Sequence, residues 1–462
     1  MKKIISILSF ALLLSANDTT TDALSLKQAL EILKAQNLEI KAAKLDVESA
    51  KAKKDTVSGM NWGKLTFTQD FARSNDAGNV FGFKLTSREA NFGDFGAEEF
   101  MNNSALCRGG NSAACNDLYN KPPDNLNYPD DRNFFQSKLK YEIPLFTGFA
   151  ISSYTDIMEE MTKLKKLDKE KMLTEKTYEL RKSYYDMALL DSSIKNLNKI
   201  LENINTLENT TQTMIEVGYA KHVDLLEVKA KKGNVERLLI QMEANKKLLY
   251  HYISFLLNQK VNAIIPPSSE VAMPNFTNEE VLKRNIDIQK ANTGLEIRKS
   301  MLESSEAAYY PTVGAFGEIA TADNTFLGDA SDHKAYTVGA RLTWNIFNGG
   351  IDSAKIEESK IEKLKMKSQV ELAKHGIALK LDKIRTEIES SNAQIASLEK
   401  ELELANAIYE NYEGRYKEKL VSMSDVIIKQ SAQIEKILQL QMAKNKRTEK
   451  IFALEKLANG DK

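Results

Sequence analysis

The chain has 462 residues, enough for two or three ordinary domains, and its 64 lysine and arginine residues balance 64 aspartate and glutamate residues. This balance argues against a nucleic-acid-binding protein, which would show an excess of basic residues. Beyond its first residues, the sequence offers no run of about 18 or more apolar residues, the length that a membrane-spanning helix needs.

The N-terminus has the three parts of an export signal. Two lysines precede an apolar core at residues 4–14, and Ser15 and Ala16 are the small residues of a cleavage site. The alternative is an N-terminal membrane anchor, but the apolar core is too short to span a bilayer. Residues 1–16 are therefore predicted to be a signal peptide that is cleaved on export.

The first half of the mature chain is predicted to contain one helix and two strands. The helix covers residues 26–54, which are rich in alanine, lysine and glutamate. The first strand follows, because Leu65, Phe67 and Phe71 alternate with polar residues. Residues 137–146 alternate in the same way and are predicted to form the second strand.

A polar insertion, rich in glycine and asparagine, separates these two strands at residues 73–133. Within it, residues 80–85 are predicted to form a short strand. The insertion also holds the only two cysteines, Cys107 and Cys115. In an exported chain, two cysteines are expected to pair into a disulfide that closes a small loop, and two free thiols are the alternative.

A long helix follows the second strand. Apolar residues in this segment recur at alternating steps of four and three: Leu190, Ile194, Leu197, Leu201 and Ile204. This period of 3.5 residues is typical of a coiled-coil seam. No proline interrupts residues 151–217, so one helix about 100 Å long is predicted there. After a turn at Gly218, a returning helix is predicted over residues 223–257.

The order of elements then begins again, which predicts an internal duplication. Asp224 corresponds to Asp425 at an offset of 201 residues (425 − 224), and the long helices match at the same offset. Asn37 corresponds to Asn285 at the larger offset of 248 (285 − 37). The difference of about 48 residues is the length that the insertion adds to the first half.

Each half is therefore predicted to be helix, strand, strand, long helix and returning helix. The first repeat covers residues 17–258, a proline-bearing linker covers residues 259–276, and the second repeat covers residues 277–462. The second repeat is predicted to begin with one helix at residues 277–309. Its last strand, residues 336–346, shows the clearest alternation in the chain.

Four strands of about ten residues with one apolar and one polar face suit a membrane β-barrel. The polar faces include these charged residues: Lys138, Lys140, Glu142 and Arg341. Aromatic residues stand near the strand ends, as at a membrane interface: Trp62, Tyr141, Tyr336 and Trp344. The alternative is a soluble sheet packed on helices. Because four strands cannot close a barrel and open edges cannot face lipid, the barrel would be shared between chains.

In this ordered and duplicated set of elements the chain resembles the TolC-type outer-membrane efflux factor family. The resemblance covers nearly all of the mature chain. It includes a Gly-x-x-x-x-x-Asp-Leu-Leu turn and these residues of the two strand-to-helix turns: Phe146, Gly148, Phe347 and Gly349. It implies a mixed, mainly α fold. Four transmembrane strands per chain would join a trimeric twelve-stranded barrel, and the long coiled-coil helices would form a periplasmic α-barrel.

The resemblance also implies where the protein works and with what. The location would be the outer membrane of a Gram-negative-type cell, with a periplasmic extension. Because the insertion joins two strands and its tip cannot sit in lipid, residues 73–133 are predicted to lie outside the cell. The partners would be two further copies of the chain, outer-membrane lipid, a periplasmic adaptor protein and an inner-membrane pump, without nucleic acid and without a cofactor.

The resemblance further implies a gate at the periplasmic tip, where the long helices turn. Tyr416 and Asp224 correspond to a pair that is expected to hydrogen-bond there, and Asp425 corresponds to an acidic ring at the constriction. Val421 and Ile428 stand where the best-known member has an arginine latch and a second aspartate ring.

Two further features of the tip bear on the prediction of a gate. Lys419 replaces, in the second half, the turn glycine that the first half keeps as Gly218. The residues around Asp425 also suit a helix cap, since Ser424 and Asp425 precede an apolar run. Asp425 is therefore predicted to be a gate residue, a helix cap or both.

Sequence motifs for catalysis and metal binding are missing. The histidines are scattered without ligand spacing: His222, His251, His333 and His375. No enzyme activity, cofactor or metal is predicted. The predicted function is a passive exit duct of a tripartite efflux system. The alternatives are the outer-membrane component of type I protein secretion and a periplasmic coiled-coil protein without a pore.

Overall fold

The computed structural model describes residues 23–107, 112–267, 270–326, 328 and 332–459. The predicted signal peptide, residues 1–16, lies outside the described residues. Within them, no helix combines the length and the apolar character that crossing a membrane requires. The chain divides into a helical unit, within Met1–Ser49, Thr162–Leu295 and Met366–Lys462, and a sheet unit of Ala50–Met161 and Glu296–Lys365.

Helices account for most of the described residues. In chain order they are α1 Leu26–Gln36, α2 Leu38–Gly59, α3 Ala77–Thr86, α4 Ala97–Asn103, α5 Ser112–Asn120, α6 Asp124–Asn127, α7 Ala150–Glu216, α8 His222–Leu257, α9 Asn278–Arg284, α10 Ile286–Glu306, α11 Ile351–Lys417 and α12 Met423–Ala458. The strands are β1 Lys64–Ser74, β2 Arg132–Phe146, β3 Thr312–Asp323 and β4 Lys334–Thr343.

The long helices confirm the periodicity argument and the duplication. Helices α7 and α11 each have 67 residues, and helices α8 and α12 each have 36. The two returning helices also end alike, because Asn258 and Asn459 both adopt left-handed backbone conformations at φ 50°. Both halves of the sequence therefore produce the same pair of long and returning helices.

The prediction of one helix over residues 26–54 is wrong, because the chain breaks at Asn37. The Asn37 side-chain oxygen accepts the backbone N–H of Ile40 at 3.0 Å, and its amide nitrogen donates to the carbonyl oxygen of Leu256 at 2.8 Å. An asparagine that caps the following helix in this way competes with continuation of the preceding one. Asn37 is 3% exposed, so both bonds are made in the protein interior.

The prediction of one helix over residues 277–309 is wrong for the same reason. Asn285 accepts the N–H of Ile288 at 3.1 Å and donates to the carbonyl oxygen of Leu457 at 2.9 Å. A buried carbonyl left without a partner costs about 1–3 kcal/mol. Each asparagine therefore ties the first helices of its repeat to the end of the returning helix.

The helical unit buries two equivalent hydrophobic clusters beside these asparagines. The cluster of the first repeat joins α1, α2, α7, α8 and the start of the linker: Ala29, Leu33, Ile40, Leu180, Tyr184, Met187, Ile253, Leu256, Leu257, Val261 and Ile264. The cluster of the second repeat joins α9, α11, α12 and the end of the linker: Val271, Val281, Leu381, Ile384, Ile388, Ile451, Phe452, Leu454, Leu457 and Ala458. The duplication thus extends from the backbone to the core.

The described residues of the sheet unit form an antiparallel sheet in the order β1-β2-β3-β4. One row of paired residues across the sheet is polar: Thr66, Lys140, Glu318 and Thr337. The neighbouring row on the opposite face is apolar: Phe67, Leu139, Ile319 and Tyr336. The predicted alternation is confirmed, because paired residues share a face and successive residues alternate faces.

In its described residues, the insertion forms helices rather than a polar loop with a short strand. Residues 80–85, predicted as a strand, lie in α3, whose first turn is capped by the Asp76 side chain accepting the N–H of Asn79 at 3.0 Å. This cap favours a helix over an isolated strand without a neighbour to pair with. Farther along the insertion, Cys107 and Cys115 are joined by a disulfide.

Candidate functional site

Two helix turns form the candidate site: residues 217–221, between α7 and α8, and residues 418–422, between α11 and α12. In the first turn, Gly218 lies in the left-handed region at φ 79°. Its N–H bonds the carbonyl of Ile215 at 3.0 Å, and the next N–H bonds the carbonyl of Met214 at 2.7 Å. This pattern ends many helices and favours glycine, because a side chain is strained at positive φ.

Lys419 builds the same turn without a glycine. It lies at φ 63°, its N–H bonds the carbonyl of Tyr416 at 2.9 Å, and the N–H of Leu420 bonds the carbonyl of Arg415 at 2.9 Å. A residue other than glycine in this conformation costs about 1 kcal/mol or more. The second turn therefore keeps the geometry of the first at a local conformational cost.

Asp224 and Asp425 occupy equivalent positions after these turns. The Asp224 carboxylate accepts the N–H of Lys221 at 2.8 Å, and the Asp425 carboxylate accepts the N–H of Ser422 at 3.2 Å. Ser422 is the N-cap of α12 and Asp425 is the third residue of the helix, so the N-cap lies three residues before Asp425, the cap that the sequence predicted. The Ser-x-x-Asp spacing of a capping box was the available sequence signal.

The hydrogen bonds from Ser422 hold the pKa of Asp425 below its usual value, with smaller contributions from the positive charges of Lys429 and Arg415. Asp425 is therefore negatively charged at neutral pH within one chain. Its carboxylate is only partly covered by the protein, so the charge is available to solvent ions as well as to the helix end.

The predicted bond between Tyr416 and Asp224 is not formed. Tyr416 is 5% exposed, and its hydroxyl lies 3.3 Å from the hydroxyl oxygen of Thr211. Because Thr211 donates its own proton to the carbonyl of Leu207 at 2.8 Å, Tyr416 is the donor of this bond. The Asp224 carboxylate instead accepts a hydrogen bond at the start of α8. Burial raises the pKa of Tyr416, and the negative charge of Asp224 raises it further.

A buried apolar cluster underlies the two turns and joins α7, α8, α11 and α12. Its members are Leu197, Ile200, Ile204, Leu207, Val228, Val235, Tyr409, Tyr416, Met423, Val426 and Ile434. Val421 packs against this cluster, whereas Ile428 is 58% exposed. Neither residue supplies the charge that the family pattern has at its position, so Asp425 corresponds to one acidic ring and the second ring has no counterpart in this sequence.

Besides the bond between Tyr416 and Thr211, two further polar contacts connect the repeats at this end of the described helical unit. The Lys419 ammonium lies 3.1 Å from the ring centroid of Tyr219, so the second turn touches the first. Farther along the returning helices, the Lys231 ammonium donates to the hydroxyl of Ser431 at 2.7 Å. Sequence reasoning missed Tyr219 and Thr211, because no local pattern shows which residues of two distant turns will meet.

The strand-to-helix turns belong to the sheet unit and are built around glycines. Phe146 ends β2, and Gly148 lies at φ 61°, where a Cβ atom would stand 2.7 Å from the carbonyl oxygen of Ala307. Gly349 lies at φ 70°, and Phe347 is 86% exposed. These residues shape the turns, whereas the tip residues belong to the helical unit.

No group of three or more His, Cys, Asp or Glu side chains in the described part of the chain is placed to hold a metal ion. The polar side chains of the tip cap helices and join neighbouring turns instead. The arrangement is a pair of helix turns with charged and aromatic groups at their surface.

Comparison with known proteins assigns this architecture. Residues 278–460 match the family model described as outer membrane efflux protein. Over 177 residues the chain is 25% identical to the putative multidrug resistance outer membrane protein MdtQ of Shigella flexneri and of Escherichia coli K12. The matched segment covers 36% of this chain and 37% of each relative, well under half of their length.

Solved outer-membrane channels share the fold over almost the whole chain. CusC superposes with a TM-score of 0.76 at 13% identity, covering 94% of this chain and 91% of that one. VceC of Vibrio cholerae gives 0.75 at 14% identity, with 94% and 96% covered. The CmeC outer membrane channel of Campylobacter jejuni gives 0.74 at 13% identity, with 97% and 90% covered.

These findings confirm the predicted TolC-type fold, mainly α with a small antiparallel sheet and an internal duplication. The matching family consists of outer-membrane channels rather than enzymes. Residues 278–460 therefore match the outer membrane efflux protein family, and the chain as a whole shares the fold of solved outer-membrane channels.

Proposed function

We propose that this protein is the exit duct of a tripartite efflux system and passively conducts substrates from an inner-membrane pump to the outside. The observation that carries the proposal is the two-faced sheet. One face exposes large apolar side chains, among them Leu65, Phe67, Phe71, Val338 and Leu342. The other carries ion pairs, Lys138 to Glu318 at 3.5 Å and Lys140 to Glu142 at 2.7 Å.

An apolar outer face and a charged inner face are the properties of a strand wall between lipid and a water-filled pore. Strands β1 and β4 each have one unpaired edge in the single chain. Three chains joined edge to edge would give twelve strands and leave no edge exposed to lipid. A coiled-coil rod without a pore would have no use for such a sheet.

The tip is proposed to be the gated end of the duct and the contact region for a periplasmic adaptor. Asp425 would form a ring of three carboxylates where the chains converge. Exposed apolar residues surround the turns and would offer contact area to a helical partner: Val217, Tyr219, Val223, Leu226 and Leu420. The names of the MdtQ relatives favour small toxic compounds over proteins as the substrates.

The insertion is proposed to lie outside the cell. It joins the end of β1 to the start of β2, whereas the start of β1 and the end of β2 connect to the helices α2 and α7. A maleimide reagent that cannot cross membranes is expected to label Tyr119→Cys on intact cells after the native disulfide has formed. Tyr119 is 72% exposed and lies in the insertion. A cysteine at Val217, in the tip, is the matched control and should stay unlabelled until the outer membrane is opened. Equal labelling of both sites would contradict the placement.

The proposed function is tested by purification in detergent followed by reconstitution. The protein is expected to migrate as a trimer and to form ion-conducting pores in planar bilayers, because only a shared barrel closes the sheet edges. A stable monomer that needs no detergent, or a trimer that never conducts, would rule the duct out.

A further inference from the structure

The contact between Lys419 and Tyr219 is the least expected feature of the tip. The two residues come from different repeats. Because the repeats are offset by 201 residues, Lys419 corresponds to Gly218 (419 − 201), the residue just before Tyr219. Position 218 is a glycine at φ 79°, whereas position 419 is a lysine at φ 63°. Both turns require a residue in the left-handed backbone conformation, which glycine adopts with less strain than lysine.

A strained residue persists where its surroundings hold it, and such residues gather at functional positions. The surroundings here include an aromatic ring. The Lys419 ammonium lies 3.1 Å from the Tyr219 ring centroid, well inside the distance at which a cation is attracted to the face of a ring. A glycine at position 419 would relieve the backbone but could not reach Tyr219. The contact between the Lys419 ammonium and the Tyr219 ring therefore offsets part of the strain in the Lys419 backbone.

We propose that Lys419 and Tyr219 form a clasp that fastens the second helix turn to the first and opposes opening of the tip. Its position complements the buried bond between Tyr416 and Thr211, which joins α11 to α7 below the turns. Tyr219 is 63% exposed, so the clasp lies at the surface, where a bound partner can break it without disturbing the core. This role rests on the proposed function, since a clasp at the tip affects transport only in a duct.

The coupling between the turns is measured first, by hydrogen exchange of the intact trimer in detergent. Replacing the cation by Lys419→Gln, or the ring by Tyr219→Leu, is expected to speed exchange at both turns by about two- to fivefold, the range of an exposed cation–π pair. The double variant should exchange no faster than either single one. Tyr219→Phe keeps the ring and should behave as wild type.

Lys417→Gln is the matched control. It removes a lysine two residues away that pairs with Glu413 at 2.8 Å within α11 and not with the first turn. It should leave exchange of residues 217–221 unchanged. Unchanged exchange in Lys419→Gln and Tyr219→Leu, or an equal effect of Lys417→Gln, would overturn the clasp whether or not the protein is a duct.

The gating role is measured second, by single-channel recording. Lys419→Gln and Tyr219→Leu are expected to raise the fraction of time spent in open states by a similar two- to fivefold. If exchange rises but channel opening does not, the clasp exists and its gating role is wrong. If the wild-type trimer does not conduct, the duct itself fails, and the exchange measurement still decides whether the turns are fastened.

Discussion

Lysine at position 338 is expected to abolish assembly of the protein in the outer membrane. Val338 lies in the middle of β4, is 78% exposed and faces the apolar side of the sheet in the row of Leu65, Tyr141 and Gly317. A lysine on the lipid face of a membrane strand costs about 2–4 kcal/mol at mid-depth. Each of three chains would bear this cost, which is large against the 5–15 kcal/mol or so that stabilises a typical folded protein.

The neighbouring residue provides the control. Thr337 lies on the polar face opposite Glu318, so Thr337→Lys adds the same charge where water and a carboxylate are available. Heat-resistant trimers in outer-membrane fractions should be lost in Val338→Lys and retained in Thr337→Lys. Equal loss in both variants, or in neither, would show that the two faces of the sheet do not meet lipid and water as proposed.

Asp425→Asn is expected to weaken block of the channel by a trivalent cation by about tenfold or more, because a pore lined by charges of one sign concentrates counter-ions to that degree. The asparagine oxygen can still accept the N–H of Ser422, so the turn should keep its cap. Hydrogen bonds lower the pKa of Asp425 within one chain, whereas repulsion within a ring of three carboxylates would raise it. Asp425→Asn removes the negative charge whether the hydrogen bonds or the repulsion dominates the pKa of Asp425.

Asp224→Asn is the matched control for the gate. Asp224 caps α8 as Asp425 caps α12, through the N–H of Lys221, so both variants carry a similar local cost. Only Asp425 is proposed to line the constriction. Titrating the blocking cation against single channels of both variants separates charge from capping. If the two variants lose block equally, or neither does, Asp425 is a helix cap and no gate.

Local patterns in the sequence determined most of the secondary structure. The seam from Leu190 to Ile204 and the absence of proline predicted α7 to within one residue at each end, because a helix needs only local periodicity and no breaker. Alternation predicted the strands for the same reason. The breaks at Asn37 and Asn285 were missed, since an asparagine stops a helix only where a distant carbonyl, of Leu256 or Leu457, receives its amide.

In the candidate site, too, some features follow from the local sequence and others depend on the tertiary structure. The capping geometry of Asp224 and Asp425 depends on neighbours three residues away, so a close reading of the sequence can find it. The partners of Tyr416 and Lys419 come from about 200 residues earlier in the chain. The sequence by itself therefore determined where the turns are and which groups they carry. The tertiary structure alone decided which groups meet, because contacts between repeats depend on how four long helices pack rather than on any local preference.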